Sequence, residues 1–322
     1  MSLNRQTIVS AMLVLLLVAV PYAAPYLGGN YVISQATRVV ILAIAALSLD
    51  LLIGRGNLVS FGHAAYFGLG GYVVAIASFH LANDVPLFGW AGSNEALIVW
   101  PLAMLVSGLA ALIIGALSLR TSGVYFIMIT LAFAQMLYFI FVALKYYGGD
   151  DGLSMRTRNL FAGERIINAT SFYWVCLGAL ALCLLVQWRL IVSRFGLALS
   201  GAASNERRMK ALGFSVYGYR LLAFTIAGMM AGLSGALWAN LNRFASPDMM
   251  SWLMSGEFMV MVIMGGVSSL FGPIVGAALF VLVENRLSEY TEYWQVFFGP
   301  FVLLIALFAP RGVWGLLRGR LK

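Results

Sequence analysis

The sequence predicts an all-α polytopic membrane protein, with about ten transmembrane helices in two pseudo-repeated halves. Three observations predict it. The 322 residues are 62% hydrophobic and only 10% charged, with a mean hydropathy of +0.92, whereas a soluble domain carries about 25% charged residues. Apolar runs near the roughly 20 residues that a helical span needs recur along the whole chain. Gly/Ser-rich stretches near 60–71 and 265–276 echo one another, as interrupted helices do in inverted repeats; chance likeness between glycine-rich helices gives the same picture.

The elements follow in order. Arg5 and the apolar run Ile8–Val20 have the outline of a signal peptide, with Ala23-Ala24 as a cleavage region. The run equally makes a first span over 7–27, and a retained span is expected because the topology then closes. Further spans are expected at 31–53, 58–80, 97–119, 122–144, 171–190, 217–240, 254–268, 271–288 and 293–309. The eighth is short, and the third and ninth are rich in Gly and Ser, so these three are expected to be broken, re-entrant or tilted. Gly228–Gly232 and Gly272–Gly276 are small-x-x-x-small patterns for close helix crossing. Cys176 and Cys183, seven apart on one helix, lie about 10 Å from each other by rise, beyond disulfide reach.

Charge orients the spans. The net charge is +8, but the basic residues are scattered over short loops without a basic stripe of interleaved aromatics, so nucleic acid is not an expected partner. With the N-terminus inside, Arg55, Arg120, Arg189, Arg207, Arg208 and Lys210 fall on the cytoplasmic side, with Arg311, Arg320 and Lys322. Asp84, Glu95, Asp150, Asp151, Asp248 and Glu292 fall outside. The Lys/Arg bias therefore predicts two cytoplasmic termini and a cytoplasmic 194–220 stretch.

Catalytic and metal chemistry find no motif. There is no phosphate-binding G-x-x-x-x-G-K-[ST] loop, no H-E-x-x-H and no nucleophile elbow. Two histidines and no cysteine cluster cannot make up a metal ligand set. The expectation is a non-enzyme that binds no cofactor itself. Among the ionisable groups within spans, Arg38, Asp50, His63, Glu257 and Glu284 are the candidate functional ones, and the three acids sit near span ends. A proton- or sodium-coupled carrier would place a carboxylate at mid-span, so this scarcity argues against one. The glycine-dense run Gly54–Tyr72 reads in two ways. It is a flexible or broken helix lining a route, with Ser60, His63 and Tyr66 facing it, or it is a tightly packed helix.

Residues 194–220 are unlike a minimal turn. Ala, Leu, Glu, Arg, Met and Lys favour a helix over 197–212, and Gly213 suits its C-cap. Glu206, Arg207, Arg208 and Lys210 crowd the polar part, while Ala198, Ala202, Ala203 and Ala211 keep the element slim. A slim charged helix fits a cleft on a soluble partner. Resting on anionic lipid instead would require a larger apolar face.

Five stretches, in order from about 40 to 310, resemble one family: Ser60–Tyr72, Val124–Met136, Gly148–Leu153, Asn205–Gly213 with the following span, and Gly265–Ala277. The family is that of permease subunits of bacterial ATP-binding-cassette importers for branched-chain amino acids (LivM-like, with urea and amide permeases as kin). The resemblance implies a single permease domain over 1–322 in the bacterial inner membrane, with a coupling-helix loop at about 194–216. It implies a second, similar permease subunit as the partner in a heterodimeric pathway. Two cytoplasmic ATPases would carry the ATP and Mg, and an extracytoplasmic binding protein would deliver solute. Amino acids lead as substrate, with urea, amides and small carboxylates behind; a self-contained carrier or channel is the rival class. Glu206, Arg207, Arg208, Lys210, Ala211 and Gly213 are the expected ATPase-coupling residues. Ser60, His63, Tyr66, Thr130 and Gln135 are the expected pathway residues. The wider importer loop pattern is Glu-Ala-Ala-x-x-x-Gly; here Arg207 and Arg208 replace the two alanines, and Gly213 comes seven residues after Glu206.

Overall fold

A computed structural model describes residues 5–86, 89, 92–161, 163–165, 168–291, 293–309 and 312–318. Arg311, Arg320, Lys322 and Glu292, used above to orient the chain, lie outside the described residues. The helices are α1 (Arg5–Leu27), α2 (Asn30–Asp50, continued by a π-helical turn Leu51–Arg55), α3 (His63–Asn83), α4 (Ala96–Ser118) and α5 (Val124–Ala143). Then come α6 (Ala169–Val192), α7 (Arg194–Ser204), α8 (Glu206–Ala211), α9 (Val216–Asn242), α10 (Trp252–Gly265), α11 (Gly272–Ser288), α12 (Trp294–Phe308) and α13 (Gly312–Arg318). Each expected span has a helix. Seven are long and apolar enough to cross a bilayer, namely α1 to α6 and α9; α10, α11 and α12 run 14, 17 and 15 residues.

Helices α2, α3 and α9 form the centre, buried along most of their length, with α4 against α3 and α9 and with α10 and α11 against α2. Lipid tails are as apolar as leucine, so close packing has to hold such helices together. Glycine supplies it. A Cβ on Gly70 would strike the Gly232 carbonyl, and one on Gly235 would strike the Phe67 carbonyl. Gly228 and Gly232 likewise seat Ala111 and Ser107 of α4, and Ser107 Oγ donates to the Tyr66 carbonyl at 3.0 Å. The glycines of the third span therefore serve tight packing: α3 is a regular helix from His63 onward, and the break lies before it at 57–62. The Gly272–Gly276 pattern also acts as a close crossing, with Gly276 facing the Met261 carbonyl.

Peripheral helices are tied by single polar contacts. Tyr173 Oη of α6 donates to the Leu17 carbonyl of α1 at 2.6 Å. Between α5 and α6, the loop folds down onto the bundle. Its strand Leu153–Ser154 (β1) pairs antiparallel with Phe244–Ala245 (β4), while Leu160–Phe161 (β2) pairs with Glu164–Arg165 (β3). Asn159 anchors it: its N–H donates to Asn240 Oδ1 at 2.9 Å and its Nδ2 to Asn94 Oδ1 at 2.8 Å. Gly148 and Gly152 are left-handed at φ 85° and 77°, and a side chain on either would meet a backbone carbonyl. His80 bridges the Val85 carbonyl and Tyr147 Oη at 2.7 and 2.9 Å, so it too holds this loop.

A bulky residue at the central crossing should unseat it. Gly235→Val is expected to cost about 1–3 kcal/mol by overpacking. In detergent, this reads as earlier loss of the monodisperse peak on heating. Gly178→Ala on α6, where an added Cβ meets nothing, should leave the profile unchanged.

Candidate functional site

The stretch between α6 and α9 forms two helices rather than the single one expected over 197–212. Asn205 divides them. Its backbone is extended (φ −155°, ψ 96°), and its Oδ1 accepts the Arg208 N–H at 3.0 Å, which caps α8. Asparagine at such a position satisfies an otherwise unpaired helix-end donor, and this local preference overrides the helix propensity of its neighbours. At the other end, Gly213 is left-handed at φ 86°. Its N–H reaches the Lys210 carbonyl and the Phe214 N–H the Met209 carbonyl, at 3.0 and 3.1 Å, the Schellman pattern of a glycine-terminated helix. The expected C-cap thus closes a six-residue helix.

Glu206 lies at the hub of this loop. Lys210 Nζ meets its Oε1 at 2.7 Å and Arg220 Nη1 its Oε2 at 2.8 Å. Lys210 is its neighbour one turn on; Arg220 belongs to the first turns of α9. The Lys210 hydrogen bond, with Arg220 adding to it against a burial cost, holds the carboxyl below the usual carboxylate range. A depressed pKa means the tie is complete above the ordinary glutamate value and is lost only as pH falls through the lower folded one. Arg207, Arg208, Lys210, Ala211 and Gly213 remain exposed. Leu212 and Phe214 are exposed beside them, at 65% and 41%, so the free face is basic with an apolar edge.

From this loop, packing runs inward. Ser193 caps α7, accepting the Gly196 N–H. Helix α7 buries Gly196, Ala198, Leu199 and Ala202; a small cleft joins Phe195, Gly196 and Leu199 to Leu51 and Arg55 of the π-helical turn. That turn meets the second break in the bundle, residues 266–271 between α10 and α11. The Ser268 N–H donates to Asp50 Oδ1 at 2.8 Å, Ser268 Oγ to the Gly54 carbonyl at 2.5 Å, and Arg55 Nη2 to the Ser268 carbonyl at 3.4 Å. A Cβ on Gly54 would sit 2.7 Å from the Ser268 nitrogen. The π-helical turn ahead of the first Gly/Ser-rich segment and the break inside the second are therefore latched together in space.

The five expected pathway residues divide. Ser60, His63, Tyr66 and Thr130 are buried to 1% exposure or less. His63 Nε2 lies 2.7 Å from Ser48 Oγ and its Nδ1 has no hydrogen-bond partner among the described residues. Its ring meets Tyr66 edge-on at 5.9 Å. Gly62, beside His63, abuts the Thr130 carbonyl, while the Ala64 N–H donates to Ser255 Oγ of α10 at 3.0 Å. Four residues thus gather where the start of α3 meets α5 and α10. Gln135, farther along α5 and half-buried, shares no hydrogen bond with them among the described residues. Sequence reasoning missed the Arg220 tie and the Asp50–Ser268 latch. Arg220, a cation at the start of the next span, carried a readable signal; the latch, across 218 residues, carried none.

Seven helices long and apolar enough to cross a bilayer, with a polar loop reaching out of them, define a multi-pass membrane protein. Residues 31–307 match the family described as branched-chain amino acid transport system / permease component, and the chain belongs to that family. It is 25% identical to the high-affinity branched-chain amino acid transport system permease protein LivM of Salmonella typhimurium, over all of this chain and 79% of that protein. Identity to LivM of Escherichia coli is 24%, with the same coverage. LivH of Escherichia coli is 24% identical over 54% of this chain and 56% of its own length. The autoinducer 2 import system permease protein LsrC of Photorhabdus laumondii is 25% identical over 44% of each. No solved structure matches.

The Asn205 cap gives a local test. Asn205→Ala should cost about 1 kcal/mol and Asn205→Gly only a few tenths. Amide exchange of residues 206–211 should then quicken roughly fivefold in the alanine variant, with α9 unchanged.

Proposed function

We propose that this chain is the permease subunit of an ATP-driven importer, forming half of a translocation pathway for branched-chain or other amino acids. The observation that carries the reading is the α8 tie, a basic exposed helix joined to α9 through Glu206 and Arg220. Full-length likeness to LivM and partial likeness to LivH support a heterodimer of two related permeases. Two cytoplasmic ATPases holding ATP and Mg, and a binding protein outside, complete the proposed assembly. The chain itself holds no cofactor. It sits in the bacterial inner membrane with both termini and the 194–216 loop cytoplasmic.

In this mechanism, Arg207, Arg208, Lys210, Ala211 and Gly213 sit in a cleft of the ATPase. Closure of the ATPases pulls α8, and Glu206 passes the pull to Arg220 and α9. Helix α7 passes it to the π-helical turn and so to the Asp50–Ser268 latch. Ser60, His63, Tyr66, Thr130 and Gln135 line the route, which opens where α3, α5 and α10 part. Selectivity is shared with the binding protein.

Glu206→Lys sets a cation against Lys210 and Arg220, and should lower ATP-dependent leucine uptake in proteoliposomes roughly tenfold, within the range of a coupling free energy. The variant should keep its gel-filtration profile and its place in the membrane. Unchanged uptake would remove Glu206 from the coupling role. Uptake by the unmodified chain alone, without ATP, would establish a self-contained carrier instead.

A further inference from the structure

The flank of the bundle holds a groove that the coupling scheme does not use. Helix α6 leans on α2, while α4 packs on α9, and a groove opens between α6 and α9. Its walls include Leu182, Val186 and Leu190 of α6, Ile226 and Met229 of α9, and Met104 of α4, around a space of about 240 Å³. From Leu182 to Leu190 the α6 wall runs about 12 Å by helical rise, close to the roughly 15 Å of hydrocarbon in one leaflet. Leu182 is 57% exposed, so the groove opens sideways, off the bundle.

The chemistry narrows the occupant. Every lining side chain is apolar, so a zwitterionic solute would lose its water without gaining a partner. A partner's helix is about 10–12 Å across with its side chains, too wide for a space of this volume; one hydrocarbon chain is not. Met104 and Met229 are unbranched and polarisable, and such walls adapt to a flexible chain. Met229 is itself seated on Gly108, where an added Cβ would come within 2.5 Å of its Cγ.

Charge marks one end. Arg189 follows Val186 by three residues and Leu182 by seven, so it stands on the same stripe of α6, at the end nearer the charged loop. It is exposed, lies 5.6 Å over the Trp188 ring, and has no ion pair among the described residues. Arg194, exposed at the start of α7, adds a second cation at that end.

We propose that the α6–α9 groove is a phospholipid site. It takes one acyl chain of an anionic phospholipid from the leaflet on the loop side, with the phosphate against Arg189 and Arg194. Basic groups beside a gap between spans suit such a headgroup. The chain wedges between the two helices that flank the charged loop, so the lipid sets the spacing of α6 and α9. The site stands independently of which solute is transported.

Native mass spectrometry of the full-length chain tests it, with dioleoyl phosphatidylglycerol or zwitterionic dioleoyl phosphatidylcholine titrated into the micelles. One phosphatidylglycerol should stay bound per chain, roughly fivefold tighter than phosphatidylcholine, the worth of one cation near an anionic headgroup. Arg189→Gln with Arg194→Gln should erase that preference while lipid still binds. Leu182→Trp with Val186→Trp fills the groove and should remove the tightly bound lipid of either kind; Leu105→Trp, at an exposed position of α4, should not. Phosphatidylglycerol should also delay the heat-induced loss of the monodisperse peak in the unmodified chain, and not in the filled variant. Photocrosslinking from benzoylphenylalanine placed at Leu182, in the native membrane, reads the occupant without filling the groove and should add the mass of one phospholipid. A protein adduct there would overturn the lipid reading in favour of a partner subunit. Equal affinity for the two lipids would overturn the headgroup contact, and undiminished binding by a monodisperse filled variant would overturn the groove as the site.

Discussion

Backbone approach between α3 and α9 is the constraint on which the bundle depends. Gly70 and Gly235 each face a carbonyl of the other helix at a distance no side chain allows. Inside lipid there is little hydrophobic gain from helix association, so dispersion contacts and a few hydrogen bonds must hold the crossing. Closeness places Tyr66 and Phe67 within the core and lets Ser107 of α4 bond the Tyr66 carbonyl. Once α3 is fixed there, its first turn has nowhere to lie except against Thr130 of α5 and Ser255 of α10.

The same crossing organises the end of the bundle that carries the charged loop. Asp50, at the end of α2, binds the Ser268 N–H of the 266–271 break, so two irregular segments satisfy each other's polar groups. Irregular backbone at membrane depth persists only where protein or water supplies such partners. Helix α7 packs against the turn that carries Arg55, and α8 is held to α9 by Glu206. The loop is therefore attached at two places to the elements that surround the buried His63 group.

Ion pairs divide by environment. The Glu206 pairs sit at the aqueous edge, where an exposed pair adds little stability; their importance is geometric, since they join two helices. The Arg38–Glu284 pair lies inside the bundle, where both groups would be expensive alone.

The apolar helices, the charged loop, its Gly213 cap and the family were legible in residue order, because apolar length, helix propensity and terminal glycine act through local chemistry. One local reading did not hold as drawn, since Asn205 split a helix that composition favoured; of the two readings left open for the α3 glycines, close packing is the one the crossing supports. Both turn on competition, a cap against propensity and a neighbour's carbonyl against backbone freedom. Residue order by itself determined which segments enter lipid and which end of each is charged. Tertiary structure alone decided that Asp50 meets Ser268 and that Arg38 meets Glu284. Those facts depend on helices distant in sequence, and pairing between them is set by crossing geometry that no spacing along the chain encodes.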